Sequence, residues 1–275
     1  MKKLLRSESL RILLAIVVAL GLAELTVAAD KKDARVTQVI KDVRVLATKT
    51  GARPASVNDT VREGQAVRTG TDSRAELTFT DQTLTRLGSN TVFSFREGAK
   101  DFELSGGAVL ICVPKCAGTV KINTAAATAA VTGFTALVEA HATALNKWYI
   151  LEGEACVKKK HKKNIPVDPC ITLHAGDMLV FLPGGQLGPI RQFDIKKTLH
   201  TAGLINGFDN KLPDWALNEI LAAGDAQQSG PPPAGGYSDP TGGDDISQKN
   251  ATPKPMPTQM GSPSGLRSHR QPGRP

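Results

Sequence analysis

Short runs of alternating apolar and polar residues, separated by turn-forming residues, dominate the chain between Ala34 and about Gly185. In two of these runs, at residues 75–79 and 91–95, apolar residues recur at every second position. A strand with this pattern buries one face and exposes the other, whereas a helix would need a period of about 3.6 residues. Many short strands with Gly, Asn and Asp between them predict an all-β domain, a sandwich or roll, over residues 35–185.

The same pattern predicts the positions of further strands within this domain. They are expected near residues 36–46, 108–113, 119–123, 136–140, 148–151, 155–158, 171–173 and 178–182.

Beyond the β-rich region the pattern becomes helical, and residues 186–225 are expected to form a short helical extension. A first short helix is expected within residues 193–204. A second begins after Pro213, carries apolar residues such as Trp215 and Ile220, and has Gly224 after its end. Residues 226–275 are rich in Pro, Gly, Ser and Gln. Such a segment buries too little apolar surface to fold, so a disordered tail is expected there.

The first 29 residues have the order of an export signal. Four basic residues precede an apolar run over residues 12–27, and small residues follow just before Asp30. A retained membrane anchor is the alternative, but a spanning helix needs about 20 apolar residues, and this run is shorter and includes Glu24. Cleavage near Ala29 is therefore expected. The protein would then be periplasmic or otherwise extracytoplasmic, and peripheral to a membrane at most.

Four cysteines, an even number, suggest two disulfides in an exported chain. Local pairing would join Cys112 with Cys116, and Cys156 with Cys170. A four-cysteine zinc site is the competing arrangement, but 14 positions between the last two cysteines do not fit the usual ligand spacing. The sequence therefore indicates disulfides, with no metal and no cofactor.

Five lysines, interrupted by one histidine, form the most basic segment of the chain between Cys156 and Cys170: Lys158, Lys159, Lys160, Lys162 and Lys163. The net charge is +8, of which residues 1–29 contribute +2. Such a loop can bind an anionic envelope polymer, and a solvated loop without a ligand is the alternative. No aromatic residue lies among the lysines for base stacking, and export argues against nucleic acid as a partner.

The sequence contains no recognisable catalytic constellation. The five histidines lack metal-ligand spacing, and no nucleophile elbow or phosphate-binding loop is present. Asp72, Asp81 and Asp177 adjoin turn residues, where aspartate usually hydrogen-bonds its own backbone. We therefore expect a protein that is not an enzyme.

A series of turn and strand motifs occurs in a fixed order along the β-rich region. The motifs are VREGQAVRTG at 61–70, TDSRAELTFTDQT at 71–83, RLGSNT at 86–91, LSGG at 104–107, VKINT at 120–124, VTGFT at 131–135, LEG at 151–153 and LHAG at 173–176. This series resembles the FecR family, although Phe134 stands where the family usually has Thr.

The resemblance covers roughly residues 35–185 and implies an all-β extracytoplasmic domain. Iron-uptake regulators of that family also carry a cytoplasmic anti-sigma region before a membrane helix. Only about 11 residues precede the apolar run here, too few for a folded domain. The expectation is a stand-alone FecR-like domain that binds an envelope protein or assists signalling. The alternative is a structural envelope protein that associates with anionic polymers through the basic loop.

Overall fold

Strands and then helices follow one another along the part of the chain that the computed structural model describes, residues 33–47, 51–96, 100–141, 145–160 and 169–230. A 3-10 turn, Lys115–Ala117, lies between the ninth and tenth strands. The elements are β1 (Ala34–Ile40), β2 (Val43–Ala47), β3 (Gly51–Pro54), β4 (Thr60–Val61), β5 (Ala66–Thr69), β6 (Arg74–Phe79), β7 (Leu84–Leu87), β8 (Val92–Arg96), β9 (Lys100–Val113), β10 (Val120–Asn123), β11 (Ala127–Val131), β12 (Phe134–Ala140), β13 (Asn146–Glu152), β14 (Glu154–Lys159), β15 (Ile171–His174), β16 (Asp177–Leu182), β17 (Gln186–Gln192), α1 (Ile195–Thr201), α2 (Gly203–Asn206) and α3 (Asp214–Ser229).

The strands form two sheets that share β9. In the first sheet the order is β4-β1-β6-β7-β9-β12-β13-β16-β17. In the second sheet the order is β3-β2-β5-β8-β9-β10-β11-β14-β15. The pairing of β9 with β10 is parallel, and the other pairings are antiparallel. Because β9 belongs to both sheets, it joins them into one continuous structure.

A glycine marks the point where β9 passes from one sheet to the other. Residues 100–106 of β9 pair within the second sheet and residues 107–113 within the first. Gly107 has φ +90°, and a Cβ atom there would lie 2.5 Å from Cα of Thr91. The Thr91 hydroxyl in turn accepts a hydrogen bond from the Ala108 amide at 3.0 Å. The crossing therefore requires a residue without a side chain.

The two sheets pack face to face around a shared apolar core. Fully buried side chains such as Leu77, Ile111 and Ile150 come from the first sheet, and Phe93 and Val157 come from the second. They occupy alternate positions of their strands, as period-two patterning requires. The predicted all-β class is confirmed.

The other face of the first sheet is covered by the three helices. Leu110, Leu137 and Tyr149 of the sheet pack with Leu199 of α1 and Ile220 of α3 in a second apolar cluster. The molecule thus has three layers: helices, first sheet and second sheet. The expected short C-terminal helices are present, with Pro213 as the N-cap of α3.

The prediction that α3 ends before Gly224 is wrong, because the helix continues to Ser229. At Gly224 a Cβ atom would lie 2.9 Å from Cγ of Lys196 in α1. The glycine therefore permits a close approach of the two helices instead of ending one. Three residues later, Gln227 donates to the Phe193 carbonyl at 2.7 Å, so the extra turn of helix fixes the start of α1.

Two further boundaries differ from the sequence pattern. Strand β17 continues the first sheet beyond residue 185, and residues 36–46 divide at Lys41 into β1 of the first sheet and β2 of the second. The disordered tail was expected over residues 226–275, but residues 226–229 belong to α3. The expected signal segment, residues 1–29, and the tail residues beyond Gly230 lie outside the described residues. Within the described ranges, no helix combines the length and hydropathy needed to span a bilayer.

Candidate functional site

A disulfide joins the two ends of the loop that carries the lysines. Cys156 lies in β14 and Cys170 directly precedes β15, and their Cα atoms are 5.4 Å apart. Strands β14 and β15 are neighbours in the second sheet, so the bond closes the base of a hairpin. We call residues 156–170 the stapled arm.

The lysines at the start of the stapled arm are accessible. Lys158 and Lys160 are exposed and Lys159 is half-buried. Among the described residues, no carboxylate forms an ion pair with any of the three. Lys162 and Lys163 lie outside the described residues. The described part of the arm therefore presents positive charge that no neighbouring acid neutralises.

The expected pairing of Cys112 with Cys116 does not form, and both thiols are free. Cys112 is the second-last residue of β9, is fully buried, and lies in the apolar cluster between the first sheet and the helices. Burial raises the pKa of its thiol to about 12. Pro114 then continues in an extended conformation and carries Cys116 to the surface. The two side chains thus occupy different environments. No three metal-ligating side chains cluster within the described ranges.

A buried ion pair that the sequence did not reveal lies on the helix-facing side of the first sheet. Arg86 of β7 donates from Nε to Glu76 of β6 at 2.8 Å. The side chains are 0% and 4% exposed. The second carboxylate oxygen of Glu76 accepts from the Thr37 hydroxyl at 2.7 Å. Buried charges persist when partners satisfy them in this way.

The same guanidinium holds the helical layer. Its terminal nitrogens donate to the carbonyls of Leu204 and Ile205 at 3.3 and 2.8 Å, and to that of Asn210 at 2.6 Å. The Phe208 ring centroid lies 4.5 Å from Cζ. Arg86 thus neutralises the carbonyl end of α2 while its charge is balanced by the sheet. We call this set of contacts the Arg86 node.

A second polar cluster lies where α3 meets the first sheet. Lys115 contacts both carboxylate oxygens of Glu219 in α3 at 2.7 Å. Glu152, at the end of β13, is buried nearby. Burial, and next the negative charge of Glu219, raise the pKa of Glu152 to about 7, while Lys115 acts in the opposite direction. The cluster can therefore exchange a proton near neutral pH.

A small apolar cavity opens at the end of the sandwich where β9 begins. Phe79, Phe95 and Phe102 line it, with ring centroids of neighbouring pairs 5.0 Å apart. The ion pair of Lys100 with Asp81 lies at its rim. The enclosed volume of about 10 Å³ is at the limit for one water molecule. The cavity is too small for an organic ligand.

The fold is that of a two-sheet β domain with a helical layer on one face. Residues 65–156 of this domain match the family model described as FecR protein. The matched segment runs from the residue before β5 into β14 and includes the shared strand β9. The chain therefore contains a FecR-type domain, as its motifs indicated.

Two crystal structures of a candidate anti-sigma factor from Parabacteroides distasonis ATCC 8503 are similar to the chain. The first has 17% sequence identity and a TM-score of 0.42, and the match covers 59% of this chain and 75% of that chain. The second has 16% identity and a TM-score of 0.41, with 51% and 64% covered. Comparison with curated proteins gives no match.

Proposed function

We propose that the protein is a non-enzymatic binding or signalling-accessory protein of the cell envelope, and that its partner is an envelope protein. The observation that carries this proposal is the FecR-type domain at residues 65–156. Residues 1–29, with basic residues followed by an apolar run and then small residues, support export. The disulfide between Cys156 and Cys170 supports an oxidising compartment.

The outer face of the second sheet is the surface that best suits a protein partner. The helices cover the first sheet, whereas no described element covers the second sheet on its outer side. That face carries a cross-strand row of polar groups. Asn123 donates to Asp101 of β9, and Thr128 of β11 donates to Asn123 at 2.8 Å. Such pre-ordered polar groups give a partner fixed hydrogen-bonding positions.

The test is in-cell crosslinking of the tagged full chain, followed by affinity capture from the envelope fraction and mass spectrometry. One dominant envelope protein supports the proposal. The variant Asn123→Ala with Thr128→Ala should reduce its capture, whereas the exposed Val57→Ser should not. If no protein is enriched over a similarly tagged, unrelated exported protein, the proposal is wrong.

A second candidate function is structural association with an anionic envelope polymer. The observation that favours it is the stapled arm, whose described lysines have no carboxylate partner among the described residues. Adhesion to purified polymer should weaken with salt and be lost when all five lysines of the arm are changed to Ser. The matched control changes the exposed Lys121 and Lys211. Adhesion that survives the five changes would exclude this function.

A further inference from the structure

Exposed large apolar side chains are concentrated on one hairpin. Four such side chains occur among the described residues. Three of them, Leu182, Leu187 and Ile190, belong to β16, β17 and their connection and are 39%, 47% and 48% exposed. The fourth, Val57, is 52% exposed in a distant loop. We call β16, β17 and the turn at residues 183–185 the apolar hairpin.

Pairing explains why two of these side chains are exposed. Leu187 lies opposite Phe181 and Ile190 lies opposite Leu179. Phe181 and Leu179 point into the core between the sheets, so their partners on β17 extend the same apolar row. Strand β17 is the last strand of the first sheet in the described residues. The row therefore continues beyond the end of the core into solvent.

The strand directions place the apolar hairpin beside the stapled arm. Strand β14 runs toward the arm, β15 returns from it, and after a short turn β16 runs back in the direction of β14. Lys159 at the end of β14 and Leu182 at the end of β16 thus lie at the same end of the sandwich. Both strands are second from the edge of their sheets. Packed sheets are about 10 Å apart, so the two features form one corner.

This corner is basic and contains no acid in its two segments. Residues 155–160 and 178–191 include no Asp or Glu. Arg191 of β17 is exposed and adds a positive charge beside the apolar side chains. The corner therefore combines positive charge with exposed aliphatic groups, the combination found on surfaces that bind anionic membranes.

We propose that this corner docks the protein on an anionic lipid bilayer. Lys158 and Lys160 contact the headgroup phosphates, and Leu187 and Ile190 enter the boundary between headgroups and acyl chains. Charge complementarity supports a lipid occupant, because no described acid pairs with these lysines. Strand addition of a protein partner is disfavoured at this edge, because Pro189 in the middle of β17 has no amide hydrogen to donate.

The shape of the corner agrees with a flat, diffuse partner. The apolar side chains stand on a hairpin whose turn is Pro183, Gly184 and Gly185. The small aromatic cavity lies at the opposite end of the sandwich, where β9 begins. A bilayer requires no such cavity, since its headgroups are recognised by charge and apolar depth.

The test is a flotation assay. The protein, purified from cells that express the full chain, is mixed with vesicles of phosphatidylcholine alone or with added phosphatidylglycerol. Binding should need phosphatidylglycerol and weaken with salt. Lys158→Ser with Lys160→Ser should weaken it about 25-fold, since each lysine near an anionic surface contributes roughly fivefold. Leu187→Ser with Ile190→Ser should weaken it about fivefold.

Matched controls separate the corner from general surface effects. Val57→Ser removes an equally exposed aliphatic group, and Lys121→Ser with Lys211→Ser removes the same charge elsewhere. Both controls should bind as the wild type does, and circular dichroism should show all variants folded. Wild-type binding by the corner variants, or equal loss in the controls, would overturn the proposal. The proposal would also fail if the lysine variant lost binding while Leu187→Ser with Ile190→Ser bound as the wild type does, because simple electrostatic adsorption needs no apolar contact.

The vesicle experiment tests the membrane contact separately from the proposed function, which the capture experiment tests. A protein partner can be found while vesicles fail to bind, which would leave the proposed function and remove the membrane contact. Vesicle binding without a protein partner would support the membrane contact and contradict the proposed function.

Discussion

The guanidinium of Arg86 and the carboxylate of Glu76 form a 2.8 Å ion pair from which water is excluded. The pair lies between the first sheet and the helices, and Arg86 also donates to three carbonyls of residues 204–210. Each charge is therefore stabilised by the other in place of water. Loss of either one affects both the sheet and the docking of the helical layer.

Replacing Arg86 by Met should destabilise the protein by about 3–5 kcal/mol, because Glu76 is then buried without a counter-charge. Adding Glu76→Gln should recover part of this loss, since the uncompensated charge is removed. Denaturant-induced unfolding, followed by circular dichroism, measures both changes. The matched control is Arg44→Met, whose exposed pair with Asp42 should contribute less than about 1 kcal/mol. Equal losses of stability in Arg86→Met and Arg44→Met would show that burial of the ion pair does not increase the effect of removing one charge.

Thiol accessibility should distinguish the two free cysteines. In the native protein Cys116 should react rapidly with an alkylating reagent, because it is exposed. Cys112 should react only after unfolding, because it is buried and the pKa of its thiol is raised to about 12. Mass spectrometry of the labelled protein counts the modified thiols, and Cys116→Ser should remove the native signal. A native protein without any reactive thiol would instead indicate the pairing of Cys112 with Cys116.

Stability should depend on the protonation of Glu152. Its pKa in the folded protein, about 7, is above the ordinary value of 4.5. Between these values the folded state binds the proton more tightly, so stability falls as pH rises from 4.5 to 7 and stays lower above pH 7. The difference is about 3 kcal/mol. Unfolding free energies at pH 5 and pH 8 should therefore differ more in the wild type than in Glu152→Gln.

The exposed Glu63 provides the control for this titration, since Glu63→Gln should keep the wild-type dependence on pH. If Glu152→Gln leaves the difference between pH 5 and pH 8 unchanged, burial of Glu152 has no energetic consequence. Removing Glu219 should also lower the pKa of Glu152, because the negative charge of Glu219 helps to raise it.

Gly107→Ala should destabilise the protein by more than about 2 kcal/mol. Its φ of +90° disfavours any side chain, and a Cβ atom would overlap the backbone of Thr91. Gly51→Ala is the control, because Gly51 has φ +75° but open space around it. It should cost about 1 kcal/mol from backbone strain alone. Thermal unfolding of the two variants gives the comparison, and equal shifts would show that the crossing of β9 tolerates a side chain.

The strands with clean alternation were the most predictable part of the fold. Residues 75–79 and 91–95 correspond to β6 and β8, and the apolar residues recurring at every second position there lie in the sandwich core. Strand β7 was missed: all four of its residues, Leu84 to Leu87, are buried, so no alternation marks it. One face of β7 meets the sandwich core and the other meets the helices. A strand buried on both faces does not show the two-residue alternation of apolar and polar residues.

The polar groups of the interior were less predictable than the surface loop. The lysines of the stapled arm are adjacent in the chain, so their shared position follows from sequence alone. Arg86 and Glu76 are ten residues apart, and their meeting depends on the register of β6 with β7. A charged residue at an apolar position of a short strand is the signal that could have directed attention to Arg86. Its carbonyl partners in residues 204–210 are 118 to 124 residues away, and no local sequence pattern indicates them.

The sequence by itself determined the β class, the FecR-type motifs and the basic loop between two cysteines, because alternation, turn residues and local charge act over a few positions. The tertiary structure decided which cysteines bond, where the helices pack and which carboxylate has its pKa raised. Cys112 and Cys116 are only four positions apart, yet one is buried beneath the helices and the other is in solvent. Burial depends on the packing of distant segments, and local sequence does not specify that packing.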